Sequence, residues 1–411
     1  MNNSLYFPAP TRLACLNPLV LTRCAAANPL GLGCEATLAA LRESRSGLRP
    51  NDFETARLET WIGRVGGLEA EPVTGRLAEF DCRNNRLAQL GLRQDGFEGA
   101  VAGARERYGP HRVAVLIGTS TSGIHETELA YRRRDPATGA LPPGYSYRRS
   151  QNVYSVAEFV RRYLNLSGPA TAISTACSSS AKVFASAHRL LEAGFADAAV
   201  VGGVDSLCLT TLYGFGSLEL LSREPCRPCD AARDGISIGE AAGFVLLERP
   251  GQATGAVSFL GYGESSDGYH MSAPHPEGAG VRTAMSDALA RAGLAPSEID
   301  YINLHGTATP ANDRAEDAAI HRIFGAATPC SSTKGWTGHT LGAAGVTEAI
   351  ISALCVAHAW LPGSLNTRTL DPSFRSRIVL AAEERPLRHV LSNSFGFGGN
   401  NCSLVFGTAA R

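Results

Sequence analysis

The chain has 411 residues, 44% hydrophobic and 18% charged. This is the make-up of a compact enzyme with two domains or two large halves, and it excludes a disordered, fibrous or small disulfide-stapled protein. Lysine plus arginine and aspartate plus glutamate both total 38, so no global field draws the protein onto nucleic acid or an anionic membrane.

The first residues, Met1 to Pro8, lack a basic region and an apolar region, and no run of ~18 uncharged apolar residues follows, so neither an export signal nor a membrane span is expected. Eleven cysteines scattered from Cys15 to Cys402 fit a reduced, cytoplasmic setting. Gly31-Leu-Gly33-Cys-Glu-Ala36 has the spacing of a dinucleotide fingerprint, but no acid for the ribose follows at the required place. It reads as a loop entering a helix over Ala36 to Glu43. Short apolar runs then alternate with helical ones: a strand over Arg112 to Ile117, a helix over Ser155 to Tyr163, strands over Ala198 to Val204 and Gly243 to Leu247, and a helix over Val281 to Ala290. That alternation predicts α/β layering with strands buried on both faces. Tyr131 to Gln151 has the Pro, Gly and charge content of a solvated loop or insertion. The pattern breaks around Arg249 to Gly255, which places the boundary between halves 1–252 and 253–411.

Four segments carry chemistry. In Thr175-Ala-Cys177-Ser-Ser-Ser-Ala-Lys182, helical spacing begins after the cysteine, so Cys177 sits at a helix N-terminus, where unpaired N–H groups and the helix dipole favour a thiolate. Tyr301-Ile-Asn-Leu-His305-Gly-Thr307-Ala-Thr309-Pro ends an apolar strand in a histidine, placed to face a cleft. Lys334-Gly-Trp-Thr-Gly-His339 leads through a polar turn into a small-residue helix. Asn393-Ser-Phe395-Gly-Phe397-Gly-Gly-Asn400 is a glycine-rich loop between strands. No Gly-Lys-Ser/Thr and no helix follow it, so it is no nucleotide loop, and its glycines allow backbone N–H groups to approach a reacting oxygen. Cys226-x-x-Cys229 has no second Cys/His pair at ligand spacing, so Cys229 is read as core and no metal is expected.

These segments, in this order, resemble those of β-ketoacyl-[acyl-carrier-protein] synthases of the elongating type, over residues 20 to 407. The resemblance implies the thiolase fold: two pseudo-symmetric halves in a five-layer αβαβα sandwich, the first carrying the cysteine and the second both histidines. It implies decarboxylative Claisen condensation of an acyl thioester with a malonyl carrier protein in fatty-acid or polyene elongation. Cys177 would accept the acyl chain, and the N–H groups of Cys177 and Phe397 would form its oxyanion hole. His305 and His339 would hold the malonyl carbonyl and the enolate left by decarboxylation. Lys334, paired with Glu316, would order the site; Thr307 and Thr309 would bond the phosphopantetheine arm; Phe395 and Phe397 would gate access. Thr121 would lie at the floor of the acyl pocket.

No bound cofactor is implied, because phosphopantetheine arrives on the acyl carrier protein. A homodimer is implied, with a heterodimer with a chain-length-factor-like subunit as the other assembly. The alternative reading, a non-catalytic chain-length-factor-type partner, is opposed by the retained Cys177. Thiolases would need a second cysteine as base, and chain-starting synthases an asparagine in place of the second histidine. Ser178-Ser-Ser-Ala-Lys182 and Pro142-Pro-Gly-Tyr-Ser-Tyr-Arg look more like the synthases of bacterial aryl-polyene clusters than like housekeeping ones. The carrier is acidic as a rule, so an arginine patch near the tunnel mouth, including Arg132, Arg133 or Arg134, is expected to steer it.

Overall fold

The computed structural model describes residues 14–251 and 256–408. The expected boundary at 252/253 lies outside the described residues. On either side of it, the two halves repeat one strand arrangement. In the first half the strands Leu19–Asn28, Val113–Gly118, Ala170–Ile173, Ala198–Asp205 and Ala241–Glu248 lie side by side in the order third, second, fourth, fifth, first. In the second, Val257–Ser266, Tyr301–Asn303, Pro329–Ser331, His389–Gly396 and Asn400–Thr408 take the same order. The directions match too: second, third and fourth strands are mutually parallel, and the fifth is antiparallel to the fourth and the first. The halves join where their first strands pair, through Leu19 with Phe259 and Val20 with Ser258.

Three apolar clusters fill the gaps between layers. Ser179–Glu192 and Ala344–His358 run between the two sheets, where Ala181, Phe184, Val346 and Ile350 pack with Phe259 and Leu404. Outside the first sheet, Arg83–Leu92, Phe97–Tyr108 and Tyr154–Tyr163 bury Leu87, Phe97 and Phe159 against Val200 and Phe244. Outside the second, Ala279–Ala292 and Pro310–Phe324 bury Val281, Met285 and Ile320 against Ile302 and Leu391. The result is five layers, the thiolase fold. Every residue of Ala198–Asp205 and Ala241–Glu248 is buried, as sandwiching between two helix layers requires.

The predicted elements differ from the observed ones at their ends. The helix placed at Ala36 begins at Cys34, because the Asp95 carboxylate accepts the Cys34 N–H at 2.9 Å and caps it from outside the local sequence. The helix placed over Val281 to Ala290 spans Ala279–Ala292, closed by Gly278 (φ 59) and Gly293 (φ 67). Residues 133–153 carry turns but no helix or strand. Leu341–His358 is long and apolar enough to cross a membrane, yet 83% of it is buried as the central helix and the turn before it.

Candidate active site

Cys177 lies in the sharp turn between Ala170–Ile173 and the helix Ser179–Glu192. Ala176 before it is held at φ 53, a conformation that costs a β-carbon-bearing residue about 1–3 kcal/mol and persists only where the surroundings enforce it. They do: the Thr175 N–H donates to Ser179 Oγ at 2.9 Å, and Ser178 Oγ donates to the Thr175 carbonyl at 2.9 Å. Gly118 lets the neighbouring strand reach this helix end, since a β-carbon there would lie 2.4 Å from Ser180 N.

The sulfur is 2.9 Å from His339 Nε2. Its resting state differs from the expected thiolate. Burial pushes the Cys177 thiol up to about 12; the Lys334 charge and the Phe397 N–H oppose this, and Asp205 adds to it. Desolvation outweighs the helix N-terminus, so the resting nucleophile is a thiol beside a base. Both imidazoles are neutral. Burial, Lys334 and His339 hold His305 well below the usual imidazole range, and burial and Lys334 do the same to His339. The rings lie edge to face with centroids 5.3 Å apart.

The expected pairing of Lys334 with Glu316 is not formed. Lys334, fully buried, meets the carboxylate of Glu348 on the central helix, donates to the carbonyl of His305, and lies 3.4 Å from His305 Nδ1. Glu316 is turned instead to the backbone: it accepts the N–H of His305 and of Gly306, each at 2.8 Å, and Asn393 Nδ2 at 3.1 Å. Both Glu316 oxygens are thus engaged at the strand-end turn, and the lysine is paired elsewhere. The Lys334 ammonium against Nδ1 leaves the Nε2 proton of His305 as the one available to a substrate oxygen. The nucleophile sulfur and the donor nitrogens of the two histidines lie within 4.8 Å of one another, a spacing that could hold a metal ion. The fixed ammonium of Lys334, 3.4 Å from His305 Nδ1, opposes a second cation. Cys226 and Cys229 are buried apart from each other's chemistry, with Cys226 Sγ on the Lys334 carbonyl at 3.1 Å and Cys229 in the outer core of the second half.

Phe395 reaches the site from the end of the strand His389–Gly396, and Phe397 from the loop that follows it. Gly396 between them is obligatory: a β-carbon there would lie 2.7 Å from Thr175 O and 3.2 Å from Cys177 N. This close approach brings the Phe397 N–H against the sulfur, where it lowers the thiol against the pull of burial. Phe395 meets the ring of His305 at 5.7 Å and Phe397 that of Phe215 at 5.6 Å. Together with Thr307 and Thr309, whose hydroxyls are 2.9 Å apart, they line a cavity of about 370 Å³ that opens onto Cys177, His305 and His339.

Thr121 does not line this cavity; its hydroxyl is spent on Asp205 at 3.0 Å. Arg132, Arg133 and Arg134 do not line it either. Arg132 lies 3.6 Å from Glu54 and Arg133 3.4 Å from Glu126, and among the described residues no lysine or arginine is in the cavity wall. Two residues went unread in the sequence, Glu348 and Asp205, and Asn393 was read only as part of its motif, without its bond to Glu316. Glu348 carried a signal, as the one acidic residue in the apolar run from Leu341 to His358. Asp205 carried none, standing at the end of an ordinary buried strand.

A thiol beside one neutral imidazole and near another, with a backbone N–H trained on the sulfur in the cleft between pseudo-equivalent halves, suits acyl transfer and carbanion chemistry. It defines a condensing enzyme of the thiolase fold. The chain belongs to the β-ketoacyl synthase family: "Beta-ketoacyl synthase, N-terminal domain" matches residues 17–253 and "Beta-ketoacyl synthase, C-terminal domain" residues 257–368. It is therefore an acyltransferase. It is 34% identical over 426 residues to 3-oxoacyl-[acyl-carrier-protein] synthase 2 of Rhizobium meliloti, covering 94% of this chain and 98% of that one. To the Staphylococcus aureus protein of the same name it is 32% identical over 376 residues, covering 84% and 93%. Among solved structures, a ketosynthase in complex with its chain length factor from Xenorhabdus doucetiae superposes with a TM-score of 0.86 at 40% identity, covering 96% of this chain and 98% of that one. The ishigamide ketosynthase/chain length factor gives 0.87 at 29% identity, covering 96% and 100%.

Proposed function

We propose that the protein transfers an acyl chain from a carrier thioester to Cys177 and condenses it with a malonyl unit held on the phosphopantetheine of an acyl carrier protein, with no resident cofactor. The observation that carries this is the 2.9 Å contact between Cys177 Sγ and His339 Nε2, with neutral His305 alongside. His339 takes the thiol proton as sulfur attacks the acyl carbonyl, the carrier thiol leaves with a proton, and the carbonyl oxygen is held by the N–H groups of Cys177 and Phe397. The malonyl thioester then loses CO2. Its electron pair passes into an enolate held by the Nε2–H of His305 beside His339, and that carbon attacks the acyl carbon as the Cys177 sulfur leaves as a thiolate, which regains its proton from solvent. Neutral imidazoles suit this step, since an imidazolium would protonate the carbanion.

The working unit in this reading is a pair of thiolase-fold chains in the cytoplasm: two copies of this chain, or this chain with a chain-length-factor-like subunit. The edge strand Ala170–Ile173 and exposed Tyr131, Tyr147, Val153 and Tyr154 offer it a face. The segments 178–182 and 142–148 support a substrate range of rigid unsaturated chains, as in aryl-polyene assembly. The non-catalytic alternative is disfavoured by the intact set of Cys177, His305 and His339.

The test is intact mass of wild type and Cys177→Ala after an acyl-carrier thioester, then malonyl carrier. A thioester-sized adduct on wild type alone, discharged as β-ketoacyl carrier, is expected. Equal condensation by Cys177→Ala would overturn the reading. Size-exclusion with light scattering distinguishes the two assemblies, and a clear preference for saturated chains in competition would count against polyene substrates.

A further inference from the structure

One buried carboxylate beside the reacting atoms has no part in the steps above. Asp205 ends the strand Ala198–Asp205 and is wholly buried. It accepts hydrogen bonds from Thr119 Oγ1 at 2.7 Å, the Ser120 N–H at 2.8 Å, the Thr121 N–H at 2.9 Å, Thr121 Oγ1 at 3.0 Å and Ser120 Oγ. All of these belong to the turn after Val113–Gly118, in the first half. Its remaining partner belongs to the second half: the N–H of Gly342, at 2.6 Å. Donors thus converge on both carboxylate oxygens, from the first half and from the second.

Gly342 lies three residues beyond His339, and between them Leu341 is held at φ 53. A leucine in that conformation needs external restraint. His339 is anchored on its near side by its own N–H, which donates to the Ser237 carbonyl at 2.7 Å. Asp205 supplies the anchor on the far side. The fit there is tight, since a β-carbon on Gly342 would lie 2.7 Å from Ser120 N and 2.8 Å from Asp205 Oδ2. On the other side of the clasp, residues 119–121 follow directly on Gly118, which abuts the nucleophile helix at Ser180.

We propose that Asp205 is a positioning residue, clasping the His339 turn of the second half to the turn beneath the nucleophile helix of the first and so setting the 2.9 Å contact between His339 and Cys177. This rests on the reading of Cys177 as acyl acceptor and adds what holds the base to it across the cleft. The charge of Asp205 also helps keep the Cys177 thiol protonated, behind burial and against Lys334.

The test uses the full chain and two variants. Asp205→Asn keeps the shape but turns an NH2 toward N–H donors, loosening the clasp and removing the charge. Gly342→Ala forces the clasp open and keeps the charge. Cys177 acylation by an acyl-carrier thioester is followed by intact mass, and iodoacetamide labelling of the Cys177 peptide is followed against pH. Acylation is expected to slow on the order of 10²-fold in both variants, as for a misplacement of about 1 Å. The labelling midpoint should move to lower pH in Asp205→Asn alone. Acylation at the wild-type rate in either folded variant overturns the proposal, as does an unmoved midpoint in Asp205→Asn. Should Asp205→Asn fail to fold, Gly342→Ala decides. Absence of an adduct on wild type would instead refute the acyl-acceptor reading, and the labelling arm would then decide on Asp205 by itself.

Discussion

Lys334 separates what a buried ion pair does for stability from what it does for chemistry. Its side chain is 1% exposed and that of Glu348 4%. Replacing Lys334 by methionine keeps the volume and leaves Glu348 buried with no cation, which costs about 3–5 kcal/mol. Replacing both, Lys334→Met with Glu348→Leu, removes the desolvation burden of the two charges and should recover most of that loss. Activity should not recover with it. A positive charge 3.4 Å from His305 Nδ1 opposes an imidazolium there by about 5 kcal/mol at an effective dielectric of ~20. With the ammonium gone, the pKa of His305 rises from its depressed position toward the ordinary 6.5. A base of higher pKa is protonated at higher pH, so the acid limb of the pH–rate profile for malonyl decarboxylation must move up. The assay is urea unfolding of wild type, single and double variants, followed by that profile on the folded proteins. A double variant that regains stability and also shows the wild-type acid limb would refute the electrostatic role of Lys334.

Gly396→Ala places a β-carbon 2.7 Å from Thr175 O and drives the Phe397 N–H off the sulfur. Loss of one oxyanion donor predicts a kcat lower by about 10²–10³-fold with little change in KM for malonyl carrier; a wild-type kcat in single-turnover acylation would count against the backbone hole. Glu316→Gln leaves one of the two N–H groups of His305 and Gly306 facing an NH2, a loss of about 1–3 kcal/mol in urea unfolding. Burial raises Glu316 from 4.5 to about 7, so between those values the folded protein binds more protons than the unfolded one and its stability falls as pH rises. The variant should show a shallower fall over that window, and parallel stability curves would refute the assignment.

The sequence displayed what is local. Cys177 at a helix start, His305 at a strand end and the glycines around Phe397 each follow from residue spacing, and their positions in the structure match those local settings. The partner of Lys334 was not legible, because Glu316 and Glu348 are both acids within reach in sequence, and only the orientation of the Ala344–His358 helix chooses between them. The resting charge of Cys177 was misjudged for a related reason: a helix N-terminus can be seen in a sequence, whereas the burial of Cys177 against Gly396 cannot. Thr121 shows the same limit, for its hydroxyl is claimed by a carboxylate 84 residues away in the chain.

The pseudo-symmetry explains why the nucleophile and its base stand on different halves. In each half the third strand leads into a central helix: Ala170–Ile173 through a strained turn into Ser179–Glu192, and Pro329–Ser331 through the short helix Lys334–Thr337 and a strained turn into Ala344–His358. The first turn presents Cys177 behind Ala176 at φ 53, and the second presents His339 ahead of Leu341 at φ 53. The same strand order in both halves brings these two turns together at the ends of two helices that pack on each other in the middle layer. The 2.9 Å contact between sulfur and imidazole is thus a contact between the segments that lead into the two central helices, one from each half. Any perturbation that shifts one central helix against the other must change acylation before it changes either half's own fold, and the residues that bridge them, Asp205 to Gly342 and Ser180 Oγ to the Val346 N–H at 2.9 Å, are where such a shift would be resisted.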